Sequence, residues 1–233
     1  MGVTACLNGG RTRAEHPAVP QTPAELAADA AAVRDAGASA VHVHPRDAGG
    51  AQTMRTAACD AAVAAIRAAV PHLRVGLSTS EAIDADPFAR AAAVTAWRRR
   101  PDIVSVNLSE LGWAGIVRAA LHAGIAVEAG LATPADAERL ARSPFTHQIA
   151  RALVEVDGGV EDAEAIAELV PNEIPQLWHG YGVRTWEVLA AGAAARHDVR
   201  VGLEDVLVLP DGRTAAGNAE LVAAAVKLIG ERT

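Results

Sequence analysis

Eight short apolar runs alternate along this chain with eight alanine-rich stretches of helical length, and that alternation restricts the fold more than any other feature. The runs are Val3–Leu7, Ala40–His44, Val75–Ser78, Ile103–Leu108, Ile125–Ala129, Ala152–Val156, Gln176–His179 and Val199–Leu203. They have the length and β-branched content of strands buried on both faces. Helices are predicted between them, over 22–36, 56–70, 86–99, 112–123, 133–142, 160–170, 184–195 and 216–231. Thr22-Pro23 and Thr133-Pro134 each pair a capping hydroxyl with a proline at the first helical position. Gly37 and Gly124 supply left-handed stops. Repeated strand–helix units predict an α/β fold, a (βα)8 TIM barrel formed as one domain over 1–233. A doubly wound sheet is disfavoured because Leu7-Asn8-Gly9-Gly10-Arg11-Thr12 lacks the G-x-G-x-x-G spacing.

Composition narrows the chemistry. A net charge of −7 offers no basic footprint for nucleic acid. No apolar run approaches the ~18 residues of a membrane span, and no signal segment is recognisable. A soluble cytoplasmic protein is therefore expected. Cys6 and Cys59 are too few for a disulfide framework. Lys227 is the one lysine among 21 basic residues, and it falls in the last helix. Schiff-base chemistry needs a lysine amine in the site, so a lysine-dependent aldolase is excluded.

Barrel active sites lie at the C-terminal ends of the strands. Those ends carry Asn8, His42 and His44, Ser78 and Thr79, Asn107, Glu128, Glu155 and Asp157, His179, and Glu204 with Asp205. Residues two apart on a strand share a face, so His42 and His44 point together. The pair reads either as half of a divalent-metal site or as two satisfied core histidines. In the last strand Arg200, Gly202 and Glu204 would alternate on the inner face. An inward Glu204 would complete a His-His-Glu set with one position open, which suits zinc first among divalent ions. Glu128 is the expected ion-pair partner of Arg200.

These residues are similar to those of the β-keto acid cleavage enzymes. The resemblance is carried by Glu15-His16-Pro17-Ala18-Val19-Pro20, by His42-Val43-His44 with Gly49-Gly50 after it, and by Ser78-Thr79. Its strongest part is Val199-Arg200-Val201-Gly202-Leu203-Glu204-Asp205 followed by Asn218-x-Glu220-Leu221-Val222. The resemblance implies a zinc enzyme that converts a β-keto acid and acetyl-CoA into a new acyl-CoA and acetoacetate. It puts the metal on His42, His44 and Glu204, the catalytic aspartate on Asp205, its supporting pair on Arg200 and Glu128, and a substrate contact on Ser78. Thr79, Arg11, Asn107 and Glu110 are further candidates for substrate contact.

Two positions depart from the family pattern. Arg11 stands where a family member that takes an amino-β-keto acid carries an acid. An anionic, for example dicarboxylic, or neutral substrate is therefore expected here rather than a cationic one, the other reading being an Arg11 that only faces solvent. Glu110 stands where a small hydroxyl residue is common. His179 with Gly180-Tyr181-Gly182 is a candidate wall for the CoA pocket, and Glu155 with Asp157 reads as a pair of structural acids. Arg98-Arg99-Arg100 is read as charge at a helix C-terminus. Barrels with apolar helical faces often self-associate, so a homo-oligomer is expected. Two other readings stay open: a zinc-dependent hydrolase on the same scaffold, and a non-catalytic metal-binding barrel.

Overall fold

The computed structural model describes residues 1–230. Eight parallel strands close in sequence order, with β1 (Val3–Cys6) paired both to β2 (Ala40–Val43) and to β8 (Asp198–Val201). Between these come β3 (Arg74–Ser78), β4 (Ile103–Asn107), β5 (Ala126–Leu131), β6 (Arg151–Val156) and β7 (Gln176–Gly180). The surrounding helices are α1 (Pro23–Asp35), α2 (Thr56–Ala69), α3 (Pro87–Ala96), α4 (Trp113–His122), α5 (Pro134–Ala141), α6 (Val160–Ala167), α7 (Thr185–Ala194) and α8 (Asn218–Gly230). The (βα)8 barrel expected from the alternation is the fold observed. The last predicted helix extended to Glu231, which lies outside the described residues.

The apolar core lies between strands and helices. Val41, Val43, Val75, Leu77, Val104 and Val106 are buried there against helical residues such as Ile66, Val94 and Ile116. The alternate strand positions face the barrel axis and are largely polar, including Thr4, His42, Ser105, Glu128 and Arg200, all buried. A polar barrel interior must satisfy its own hydrogen bonds, and this requirement organises the site.

Both predicted helix starts are capping boxes. Thr22 and Glu25 exchange side-chain and backbone bonds, as do Thr133 and Asp136, with Pro23 and Pro134 in the first turn. Helix α3 ends at Ala96, short of Arg99, because Trp97 turns extended and buries its indole. The Trp97 Nε1–H donates to the Met54 carbonyl at 2.9 Å, and Asp60 Oδ1 accepts from the backbone N–H groups of Arg98 and Arg99. The three arginines therefore follow the helix and do not charge its last turn.

Strand β8 also ends early, at Val201. Gly202 packs so closely on β1 that a Cβ there would overlap the Cys6 backbone. The chain then turns, with Asp205 N–H and Val206 N–H both donating to the Gly202 carbonyl at 2.9 Å. Glu204 N–H donates to the Cys6 carbonyl at 3.2 Å, which fixes the turn to the first strand. Glu204 is therefore a turn residue beyond the strand. The turn brings Glu204 and its neighbour Asp205 to the same guanidinium, which strict strand alternation would forbid.

Asn218 at the start of α8 secures this region. Its Oδ1 accepts from Leu203 N–H at 2.7 Å, and its Nδ2 donates to the Leu7 carbonyl at 2.8 Å and to Asp29 Oδ2 at 2.7 Å. His16 closes the same corner, with Nε2 2.9 Å from the Ala215 carbonyl.

Candidate functional site

His42 lies within β2 and His44 one residue past its end. His44 keeps strand-like placement because Asn8 substitutes for a neighbouring strand. Asn8 Oδ1 accepts from His44 N–H and Asn8 Nδ2 donates to the His44 carbonyl, each at 2.9 Å. The two imidazoles converge with Nε2 atoms 3.0 Å apart. Glu204 completes the group, with Oε2 3.9 Å from His42 Nε2 and Oε1 3.5 Å from His44 Nε2.

The donor chemistry of this group fits a divalent cation. Burial drives the His42 imidazole well below its ordinary range, despite the opposing Glu204 charge, so it is neutral with a lone pair available. Burial alone would raise the Glu204 carboxyl, but Arg200, His44 and His42 outweigh it and keep the group ionised. Gln52 Oε1 takes the hydrogen bond of His44 Nδ1, so Nε2 is the free donor atom. Glu204 Oε2 is buried without a hydrogen-bond partner. Tetrahedral zinc with ~2.0 Å bonds to nitrogen puts its donor atoms roughly 3.3 Å apart. Here the two Nε2 atoms are 3.0 Å apart, and one donor atom from each of the three residues lies within 4.8 Å of the others, close enough to share one ion.

Behind the triad lies a buried ion network. Arg200 Nη2 donates to Glu204 Oε1 at 2.6 Å and to Asp205 Oδ1 at 2.8 Å, while Nε reaches Asp205 Oδ2 at 3.3 Å. Arg200 fronts the cavity, whereas Asp205 sits behind it with its side chain 0% exposed. His179 is equally buried and bridges two carboxylates, with Nδ1 3.7 Å from Asp205 Oδ1 and Nε2 3.5 Å from Glu155 Oε2. Burial raises the Cys6 thiol beneath this network well above its ordinary value, which keeps it protonated and unreactive.

An inner cavity of about 190 Å³ opens on the triad and on Arg200. Its remaining walls are Ser78 and Ser80 after β3, Ser105 and Asn107 of β4, Leu153 and Glu155 of β6, and Tyr181 after β7. Burial opposes ionisation of Glu155, but the adjacent His179, with Arg200 and the Tyr181 hydroxyl, pulls the carboxyl below its ordinary value. Burial raises the Tyr181 phenol, so it keeps its proton, and it donates that proton to Glu155 Oε2 at 3.1 Å.

Several residues expected at this site are placed elsewhere. Glu128 is not the partner of Arg200. It pairs with Arg151, whose Nε donates to Glu128 Oε2 at 2.7 Å, and Arg151 reaches on to Asp198 at 3.3 Å. Arg151 and Asp198 open their strands and Glu128 is the third residue of β5, and none of the three lines the cavity. Thr79 donates to the Ser105 carbonyl at 2.7 Å and does not line this cavity. Glu110 is a brace. It is ion-paired with fully buried Arg90 and accepts from Ser80 Oγ at 3.0 Å, Glu81 N–H at 2.9 Å and Asn107 Nδ2 at 2.9 Å. Arg11 pairs with Glu15 at 3.1 Å and is absent from the walls of the cavity.

Gln52, Ser80 and Ser105 join the site without having been singled out by the sequence, and Tyr181, expected in a wall of the CoA pocket, lines the inner cavity. The missed signal for Gln52 is the Gly49-Gly50 turn. It folds the segment after β2 back so that Arg46 pairs with Gln52 and the amide faces His44.

The chain is similar to known proteins along nearly its whole length. A family profile described as beta-keto acid cleavage enzyme matches residues 1–159 and 154–233. A 3-keto-5-aminohexanoate cleavage enzyme from Fusobacterium nucleatum subsp. nucleatum is 23% identical over 250 residues, covering 98% of this chain and 91% of that protein. One from Acetoanaerobium sticklandii is 25% identical over 252 residues, with the same two coverages of 98% and 91%. Among solved structures, the binary complex of ObcA with oxaloacetate superposes with a TM-score of 0.76 at 17% identity. That match covers 93% of this chain, which spans only 64% of the ObcA chain. The 3-hexulose-6-phosphate synthase from Salmonella typhimurium matches over 100% of both chains with a TM-score of 0.57 at 17% identity, a likeness of fold.

Proposed function

The chain belongs to the β-keto acid cleavage enzyme family, and from that premise we propose that it exchanges acyl groups between a β-keto acid and acetyl-CoA. The products are the acyl-CoA derived from the keto acid and acetoacetate. The observation that carries this reading is the His42–His44–Glu204 triad set beside the Arg200–Asp205 pair.

His42, His44 and Glu204 would hold a divalent metal, with zinc the best match to two imidazoles and one carboxylate. Bound there, the ion supplies a Lewis acid for the ketone oxygen of the substrate. Asp205 takes the proton from the carbon between ketone and carboxylate. Because Arg200 stands between Asp205 and the cavity, the Arg200 side chain shifts in the substrate complex, and such hydrogen bonds commonly rearrange on binding. The carbanion then attacks the acetyl-CoA carbonyl and the CoA thiolate leaves. The thiolate adds to the original ketone carbon, the bond from that carbon to the attacking carbon breaks, and the electron pair leaves with acetoacetate. The proton held by Asp205 returns to acetoacetate. Ser78, Ser105 and Arg200 form the donor-rich side of the cavity, suited to the substrate carboxylate.

The deciding experiment incubates purified, metal-analysed protein with a β-keto acid and acetyl-CoA and measures acetoacetate and the new thioester together. Formation of both, abolished by a chelator and restored by zinc, is the expected result. Release of a free acid without consumption of acetyl-CoA would instead support the zinc hydrolase, and neither product would leave a non-catalytic barrel.

A further inference from the structure

His179 is an exception to the rule that the barrel interior satisfies its own hydrogen bonds. Its side chain is 0% exposed, and both ring nitrogens are buried without a hydrogen-bond partner. The residue stands on β7 in register with Glu155 of β6, and its ring reaches across to Asp205 in the turn after β8. Nε2 is 3.5 Å from Glu155 Oε2 and Nδ1 is 3.7 Å from Asp205 Oδ1. Each carboxylate is already held by another donor. Tyr181 donates to Glu155 Oε2 at 3.1 Å, and Arg200 donates to both oxygens of Asp205. The imidazole is a spare partner, poised between two acceptors and bonded to neither.

A buried donor left unpaired is costly, so a ring in this position calls for a state in which it is paired. Arg200 sets that state. Among the described residues, it supplies every hydrogen bond that the Asp205 carboxylate receives. It also lines the inner cavity, whereas Asp205 and His179 do not. Once Arg200 turns to a substrate carboxylate, Asp205 would be a buried carboxylate without a donor. Closing His179 Nδ1 from 3.7 Å to the roughly 2.8 Å of a charged hydrogen bond takes a ring movement of about 0.9 Å. Tyr181 keeps Glu155 satisfied as the ring moves away from it.

We infer that His179 is the positioning residue of the catalytic aspartate, closing its Nδ1–H on Asp205 Oδ1 when Arg200 leaves that oxygen. The inference rests on the proposed reaction, in which Asp205 is the base. It gives the two carboxylate oxygens different tasks. Oδ1 is held by the imidazole, and Oδ2, released by Arg200 Nε, takes the proton from the substrate carbon. His179 lines no part of the cavity and acts only through Asp205.

Two substitutions separate the two sides of the ring. Asparagine places its amide nitrogen where histidine carries Nδ1, and glutamine places its own where histidine carries Nε2. His179→Asn therefore keeps a donor for Asp205, while His179→Gln keeps one only for Glu155. With a β-keto acid and acetyl-CoA, His179→Gln should lower kcat about 10–100-fold, the range of one hydrogen bond to a charged group, at unchanged KM and metal content. His179→Asn should recover most of that loss. A second readout is independent of turnover. Proton NMR of the metal-loaded parent protein, given the β-keto acid without acetyl-CoA, should show a new downfield Nδ1–H resonance that neither the free protein nor His179→Gln displays. Equal kcat in the two variants overturns the inference, as does a loss confined to KM, to bound metal or to unfolding stability. So does absence of that resonance from the substrate-bound parent. Failure of the parent to form acetoacetate would refute the proposed reaction instead, and the resonance would still decide whether the ring closes on Asp205.

Discussion

Gln52 offers the most direct test of the metal centre, because it touches the site only through His44. Its carbonyl accepts the hydrogen bond of His44 Nδ1, holding the ring in the tautomer that frees Nε2. Gln52→Leu removes the acceptor at similar volume. His44 is 7% exposed, so its N–H would be left with little access to water. An unsatisfied buried donor costs about 1–3 kcal/mol, which the ring would avoid by adopting the tautomer with Nε2 protonated. That proton must leave before a metal can bind. Loss of an outer partner of this kind typically lowers metal affinity about 10–100-fold, equivalent to about 1.4–2.7 kcal/mol. Zinc affinity measured by competition with a chromophoric chelator should fall by that factor, while far-ultraviolet dichroism stays unchanged. Gln52→Glu should move affinity the other way, since a carboxylate raises the basicity of the imidazole. Unchanged affinity in Gln52→Leu would show that the triad, if it binds metal, does so through other atoms than those assigned.

Further outcomes follow from the same geometry. Glu204→Gln and His42→Ala should each lose bound metal and turnover together, measured by metal analysis of the purified variants. Asp205→Asn should retain metal while kcat falls about 10²–10⁴-fold, the usual contribution of a positioned base; normal turnover would remove Asp205 from the reaction. Arg90→Met strands the Glu110 carboxylate in a buried site, side-chain exposure 7%, and should destabilise by about 3–5 kcal/mol in chemical unfolding. Adding Glu110→Gln to that variant should recover part of the loss. Burial raises the Asp29 carboxyl to about 6, against the Asn218 hydrogen bond that lowers it. Its folded value lies above its unfolded one, so its contribution to stability is full below about pH 4 and is lost as pH rises through 6. Two pKa units correspond to about 3 kcal/mol, and Asp29→Asn should flatten the stability profile between pH 4 and 7 by up to that amount. Identical profiles for variant and parent would refute this.

Much of this protein was legible one residue at a time. The strand–helix alternation, the Thr-Pro helix starts and the His42–His44 pair depend on local periodicity and capping, which contiguous residues specify through their own backbone geometry. The order of the barrel then follows, because parallel strands joined by helices have few ways to close. Ion pairing was less accessible. Opposite charges on a list of strand ends suggested Glu128 for Arg200, yet Arg151, next to Glu128 in β-sheet register, takes Glu128 and leaves Arg200 to Asp205. Register between neighbouring strands selects the partner, and no local pattern encodes it.

Glu204 shows where sequence and tertiary structure divide. By itself the sequence determined that an acid near the end of the eighth strand would stand opposite two histidines of the second. Only the tertiary structure decided how. The close approach of Gly202 to β1 ends the strand, and the turn that results delivers Glu204 to the histidines and Asp205 to the back of Arg200. Likewise Arg11 and Glu110, conspicuous as charges in the sequence, are neutralised by Glu15 and Arg90. Asn107 and Glu155 reach one cavity because the register of β4, β5 and β6 brings the ends of these strands together. Local chemistry is written along the chain, but a charge acts on whatever lies within a few ångströms, and that is set by packing between residues distant in sequence.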